Sequence, residues 1–67
     1  MKDNTGRIIT GALRRNGLHD KDACKKKKIA IATFYRCMEN SNRLSLDNFR
    51  RLSEYLTDAE ILEIVRE

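Results

Sequence analysis

The chain has 67 residues, enough for one small domain with a thin core, because a domain of this size buries only about 60% of the surface its unfolded chain exposes. Hydrophobic residues make up 40% and charged residues 36%, and the longest uncharged stretch, residues 29–35, is far short of the ~20 apolar residues of a membrane span. Fourteen Lys and Arg stand against ten Asp and Glu, but residues 1–51 carry 13 basic and 5 acidic side chains (+8) while residues 52–67 carry 1 and 5 (−4).

A basic body with an acidic tail suits a polyanionic partner on one face. With no span and no leader peptide predicted, the expected location is cytosolic, where Cys24 and Cys37 are buried thiols rather than a disulfide. So short a chain leaves little room for a walled pocket, and no phosphate-cradling glycine loop or nucleophile–base pair is visible; a non-enzymatic protein is predicted.

The pattern is helical from end to end. There is no proline, and no run alternates apolar and polar residues as a half-buried strand does. A first helix is predicted from about residue 5 or 6 to residue 15, with Ile8 one turn from Ala12 and Ile9 one turn from Leu13. Gly17 reads as a left-handed terminator, after which Leu18 drops into the core. His19 or Asp20 opens a second helix reaching about residue 27, with Asp20 and Asp22 at the positive end of its dipole and lysines toward the negative end. Its only apolar residues are Ala23 and Cys24, so it packs through small side chains.

After a tight turn at Lys28 and Ile29, a third helix is predicted over about 31–39. Phe34, Cys37 and Met38 share one face of it; Ile31, Ala32, Tyr35 and Arg36 share the other. An outward Ile and Tyr beside an Arg is unusual for a surface that meets only water. A polar loop follows, and Ser45 caps a fourth helix with Leu46, Phe49, Leu52, Tyr55 and Leu56 at core spacing. Thr57-Asp58-Ala59-Glu60 has the form of a capping box and starts a fifth helix, about 58–66, in which Ile61, Leu62, Ile64 and Val65 are apolar. The expectation is a single all-α domain of five short helices over residues 1–67.

Several spacings coincide. Gly17-Leu18 closes a first helix, Ala23-Cys24 sets an apolar and then a small residue on the next, and Ile29 follows the turn. Phe34 and Cys37 supply two later anchors, with Arg36 just before the second, and Ser45-Leu46-Asp47 opens the following helix. In this arrangement residues 6–57 resemble the helix-turn-helix domain of the Cro/C1-type (XRE, lambda-repressor-like) DNA-binding family, with the motif at about 20–39. Two departures are visible. Lys27 and Lys28 stand where the family places an apolar residue and then glycine, which points to a wider or shifted turn. The loop after the third helix lacks the family's Glu-Asn-Gly and proline.

In helix-turn-helix proteins the second helix of the motif enters the major groove. The resemblance therefore implies base reading by Ile31, Ala32, Tyr35 and Arg36, with Arg36 bidentate to guanine and Ile31 and Ala32 against thymine methyls. It implies phosphate contacts from Lys21, Lys25, Lys26, Lys27, Lys28, Ala30, Thr33, Asn40, Asn42 and Arg43. The competing reading packs Ile31 into the core, pairs Arg36 with Glu39 or Asn40, and leaves the lysines as a solvated helix face.

His19 is the only histidine and has no second ligand at a suitable spacing, so it reads as a cap or surface residue; no metal, cofactor or small-molecule ligand is predicted. Ile61, Leu62, Ile64 and Val65 exceed what a terminal helix hides on a thin core, so a homodimer through this helix is expected, with Glu60, Glu63 and Glu67 turned away from DNA. The sequence thus points to a DNA-binding transcriptional regulator, a Cro-like repressor of bacterial or phage type, acting on a pseudo-palindromic double-stranded operator. The alternative is a protein-interaction module on the same fold, an antirepressor or co-regulator that binds a partner regulator. A third reading is a general nucleic-acid binder that relies on the lysine run.

Overall fold

Apolar residues three and four apart give most segments one face to bury, while the second helix packs through the adjacent Ala23 and Cys24. The computed structural model describes residues 4–40 and 43–66. The five helices among the described residues are α1 (Thr5–Arg15), α2 (Asp20–Lys27), α3 (Ile31–Glu39), α4 (Leu46–Ser53) and α5 (Asp58–Arg66). No strand occurs among the described residues.

The ends follow from local chemistry. Gly17 stops α1 with φ +72°, and the Leu18 N–H turns back to the Leu13 carbonyl at 2.9 Å. His19 is extended at the start of α2, and its N–H donates to Asp22 Oδ2 at 3.4 Å. Ser45 Oγ accepts from the Asn48 N–H at 3.1 Å and starts α4. The capping box of α5 forms as expected: the Thr57 N–H donates to Glu60 Oε1 at 2.8 Å, and the Glu60 N–H donates to Thr57 Oγ1 at 3.2 Å.

Ile9, Leu13, Ala23, Cys24, Ile29, Phe34 and Leu52 form one buried cluster, with Leu18, Met38, Leu44, Tyr55, Leu56 and Ile64 half-buried around it. α1 lies against α2, α3 and α5, while α2 also touches α3 and α4. The approach of α1 to α3 is close enough to involve backbone. A Cβ added at Gly6 would stand 2.2 Å from the Met38 carbonyl oxygen. Both cysteines are free and buried, and burial pushes their thiols above the ordinary range, so they behave as small apolar side chains.

The fourth helix is shorter than its apolar spacing predicts. It stops at Ser53, and Tyr55 and Leu56 reach the core from the turn beyond it. Leu46 is 72% exposed rather than buried, because as the first helical residue it stands at the rim of the domain, and Leu44 from the preceding loop packs on the core instead.

The α2–α3 connection is the tight turn expected at Lys28 and Ile29 rather than a wider or shifted one. It keeps its tight form in residues 28–30, and Lys28 itself adopts the left-handed conformation, φ 57° and ψ 45°. That conformation costs an L-residue with a Cβ about 1–2 kcal/mol. Glycine avoids the clash but adds about 0.5–1 kcal/mol of unfolded-state entropy. The expected outcome for Lys28→Gly is therefore a net stabilisation of about 0.5–1 kcal/mol, read as a rise of several degrees in Tm. A lower Tm would show that the side chain is not strained there.

Candidate nucleic-acid interface

α3 is held from one side. Phe34 and Cys37 are buried, Met38 is half-buried, and the Cys37 Sγ–H donates to the Arg43 carbonyl at 3.5 Å. Because successive helical residues turn by about 100°, anchoring that face directs the rest outward. Ile31 is 37% exposed and Tyr35 46%, and Ala32, Thr33 and Arg36 are exposed beside them. Tyr35 is oriented rather than loose, its ring meeting Phe34 edge-on with centroids 5.8 Å apart. Arg36 forms no ion pair with Glu39 or with any other described residue, and it shares a shallow depression with Glu39, Asn40 and Arg43. Ala30 precedes the helix without a side-chain oxygen to cap it, so the first amides of α3 keep no side-chain acceptor at the positive end of its dipole.

The lysines of α2 do not act as one group. Lys21, Lys25, Lys26 and Lys28 are exposed, and Lys21 lines a groove with Arg14, Leu18, His19, Asp20 and Tyr35. Lys27 turns the other way. Its ammonium is bonded to the Glu54 carboxylate and lies 5.3 Å from the centre of the Tyr55 ring, with only 18% of the side chain exposed. Glu54 raises the Lys27 pKa, so this charge stays on the ammonium and is used within the fold. Successive helical residues turn by about 100° and Lys28 leaves the helix in the left-handed conformation, so the run cannot present a single face. Thr33 is exposed on α3 and Arg43 is exposed in the depression it shares with Arg36, and Asn42 lies outside the described residues.

α5 divides in the same manner. Ile61 and Ile64 are half-buried, Ile64 against the core, while Leu62 and Val65 are 57% and 63% exposed. Ala59, Leu62, Glu63 and Arg66 line a shallow depression on that outer side. Glu60 is neither turned to solvent nor idle. Arg15 donates to both of its oxygens, at 2.7 and 2.9 Å, and also donates to the Tyr55 carbonyl at 3.0 Å. This bidentate bond, with the Thr57 N–H, holds the Glu60 carboxyl down to about 2.

A folded-state pKa below the unfolded one contributes stability that is complete above about 4.5 and is lost as pH falls toward 2. Glu60→Gln keeps a capping side chain but not the charge. The parent is expected to exceed it in stability by about 1 kcal/mol at neutral pH, since the pair is partly exposed. In melts at stepped pH this margin should close between pH 4.5 and 2. A margin independent of pH would remove the ion pair from the account.

No protein-family model, curated protein or solved structure matches the chain. No helix among the described residues is long and apolar enough to cross a membrane. The pairs Arg15–Glu60 and Lys27–Glu54 join residues far apart in the chain, and Arg51 reaches back to α2; no local spacing announces any of them.

Proposed function

We propose that the protein is a sequence-specific double-stranded DNA-binding regulator of the Cro type, a repressor that occupies an operator with α3 in the major groove. The observation that carries this reading is the outer face of α3, where Ile31, Ala32, Tyr35 and Arg36 stand exposed together and Arg36 has no partner among the described residues. Arg36 reads guanine through paired donors, and the small apolar Ile31 and Ala32 sit against thymine methyls. The phosphate contacts come from Lys21, Lys25, Lys26, Lys28, Arg43 and the open amides after Ala30, which fix register rather than sequence. Lys27 is left out of this set, since Glu54 already holds it.

The domain measures 28 Å along its longest axis, less than the roughly 34–36 Å between successive major grooves on one side of DNA. A palindromic site therefore needs two copies, and Leu62 and Val65 on the outer side of α5 are the residues offered for their contact. A second reading, favoured by the exposed Ile31 and Tyr35, is a module that binds a protein regulator through the same face.

Selection of bound duplexes from a randomised pool, at low and near-physiological salt, tests the proposal. An enriched inverted repeat that persists at the higher salt is the expected result. Binding without an enriched motif that vanishes as salt rises indicates charge contacts alone and overturns it.

A further inference from the structure

The α2–α3 connection combines a strained residue with an arginine from another helix. Lys28 holds the left-handed conformation that glycine adopts without penalty. The last carbonyls of a helix have no partners within it, and those of Lys27 and Lys28 are met by one side chain: Arg51 Nη1 donates to them at 3.3 and 3.4 Å. The second guanidinium nitrogen is held 3.1 Å from Asp47 one turn earlier on α4, which orients the fork. Just past the same helix, Glu54 takes the Lys27 ammonium, and Leu52 between them is fully buried. α4 thus grips the connection by its backbone and by its one inward lysine. The bond from the Ile29 N–H to the Cys24 carbonyl, 2.9 Å, closes the turn, and α3 starts two residues later.

We propose that Arg51 is a positioning residue: by bonding the carbonyls of Lys27 and Lys28 it holds Lys28 left-handed and sets the direction in which α3 leaves the turn. Glycine at 28 needs no such help, because it has no Cβ to clash. The side chain that lysine keeps for solvent is compatible with the turn only while the arginine is present. The consequence for DNA rests on the function proposed above; the consequence for the turn does not.

Amide hydrogen exchange on the intact chain tests it, comparing the parent, Arg51→Ala, Arg51→Lys, Lys28→Gly and the Arg51→Ala/Lys28→Gly pair. In Arg51→Ala the Ile29 amide is expected to exchange faster relative to the Phe34 and Leu13 amides, by about fivefold, the population change given by one lost hydrogen bond of ordinary strength. Arg51→Lys should restore part of the protection, and Lys28→Gly should restore most of it. Equal acceleration at all three amides, or no rescue by glycine, overturns the proposal. If Arg51→Ala does not fold, recovery of a folded chain in the paired variant supports it, and failure of both overturns it.

A second readout is the ratio of affinities for a selected and a scrambled duplex, which Arg51→Ala should lower and Lys28→Gly should restore. A parent that binds no duplex ends the DNA reading, while the exchange pattern still decides the role of Arg51.

Discussion

A Gly6→Ala variant should melt well below the parent, although alanine is the better helix former. Propensity alone favours alanine by up to about 1 kcal/mol in a helix interior. Against it, the new Cβ would lie 2.2 Å from the Met38 carbonyl oxygen and 3.0 and 3.1 Å from the Met38 carbonyl carbon and Cα. These are backbone atoms of α3, so no side chain can swing aside; α1 must slide off α3. Overpacking of this kind costs about 1–3 kcal/mol and more where backbone has to move. A net loss of about 2 kcal/mol or more is expected, a large share of the stability of a domain this small.

Gly11 supplies the internal comparison. It is exposed in the middle of the same helix, and an added Cβ there meets nothing within 4 Å. Gly11→Ala should therefore raise stability by about 1 kcal/mol. Thermal or denaturant melts of the two variants decide the matter: opposite signs are expected, and a stabilised Gly6→Ala chain would mean that α1 and α3 are not in backbone contact.

Replacing Arg36 with alanine should abolish sequence preference while sparing non-specific binding. A bidentate arginine–guanine contact contributes about 1–3 kcal/mol of discrimination, or roughly 5- to 150-fold at each half-site, and a dimer loses it twice. Arg36 is exposed and unpaired among the described residues, so its removal leaves no orphaned partner and should hardly alter Tm. Lys25→Ala with Lys26→Ala should do the reverse, weakening all sequences alike and flattening the salt dependence. Titration of each variant against the selected and a scrambled duplex separates the two effects. An Arg36→Ala chain with full preference for the selected site would move base reading elsewhere. An equal loss on both duplexes would reduce Arg36 to a phosphate contact.

How much of this was legible in the sequence depended on the range of the interaction. The helix limits of α1, α2, α3 and α5, the terminator Gly17 and the capping box at Thr57 and Glu60 all rest on contacts within about four residues, which spacing records directly. The division of α3 into a buried face through Phe34 and Cys37 and an exposed face through Ile31, Tyr35 and Arg36 follows from the same 100° rotation. Where spacing misled, a tertiary choice had intervened. Leu46 fits the periodicity of α4, but Leu44 occupies the core; lysines 25–28 read as one basic run, but Lys27 faces Glu54.

The sequence by itself determined that the fold is all-helical, where four of the five helices among the described residues begin and end to within a residue, and which side of α3 faces out, because each is settled by residues within a turn of one another. Only the tertiary structure decided that Gly6 must be glycine, that Lys28 is left-handed, that Arg51 bonds the end of α2, and that Glu60 closes on Arg15. Each of those depends on where two helices distant in sequence come to lie, and that position is set by packing the whole core at once rather than by any local pattern.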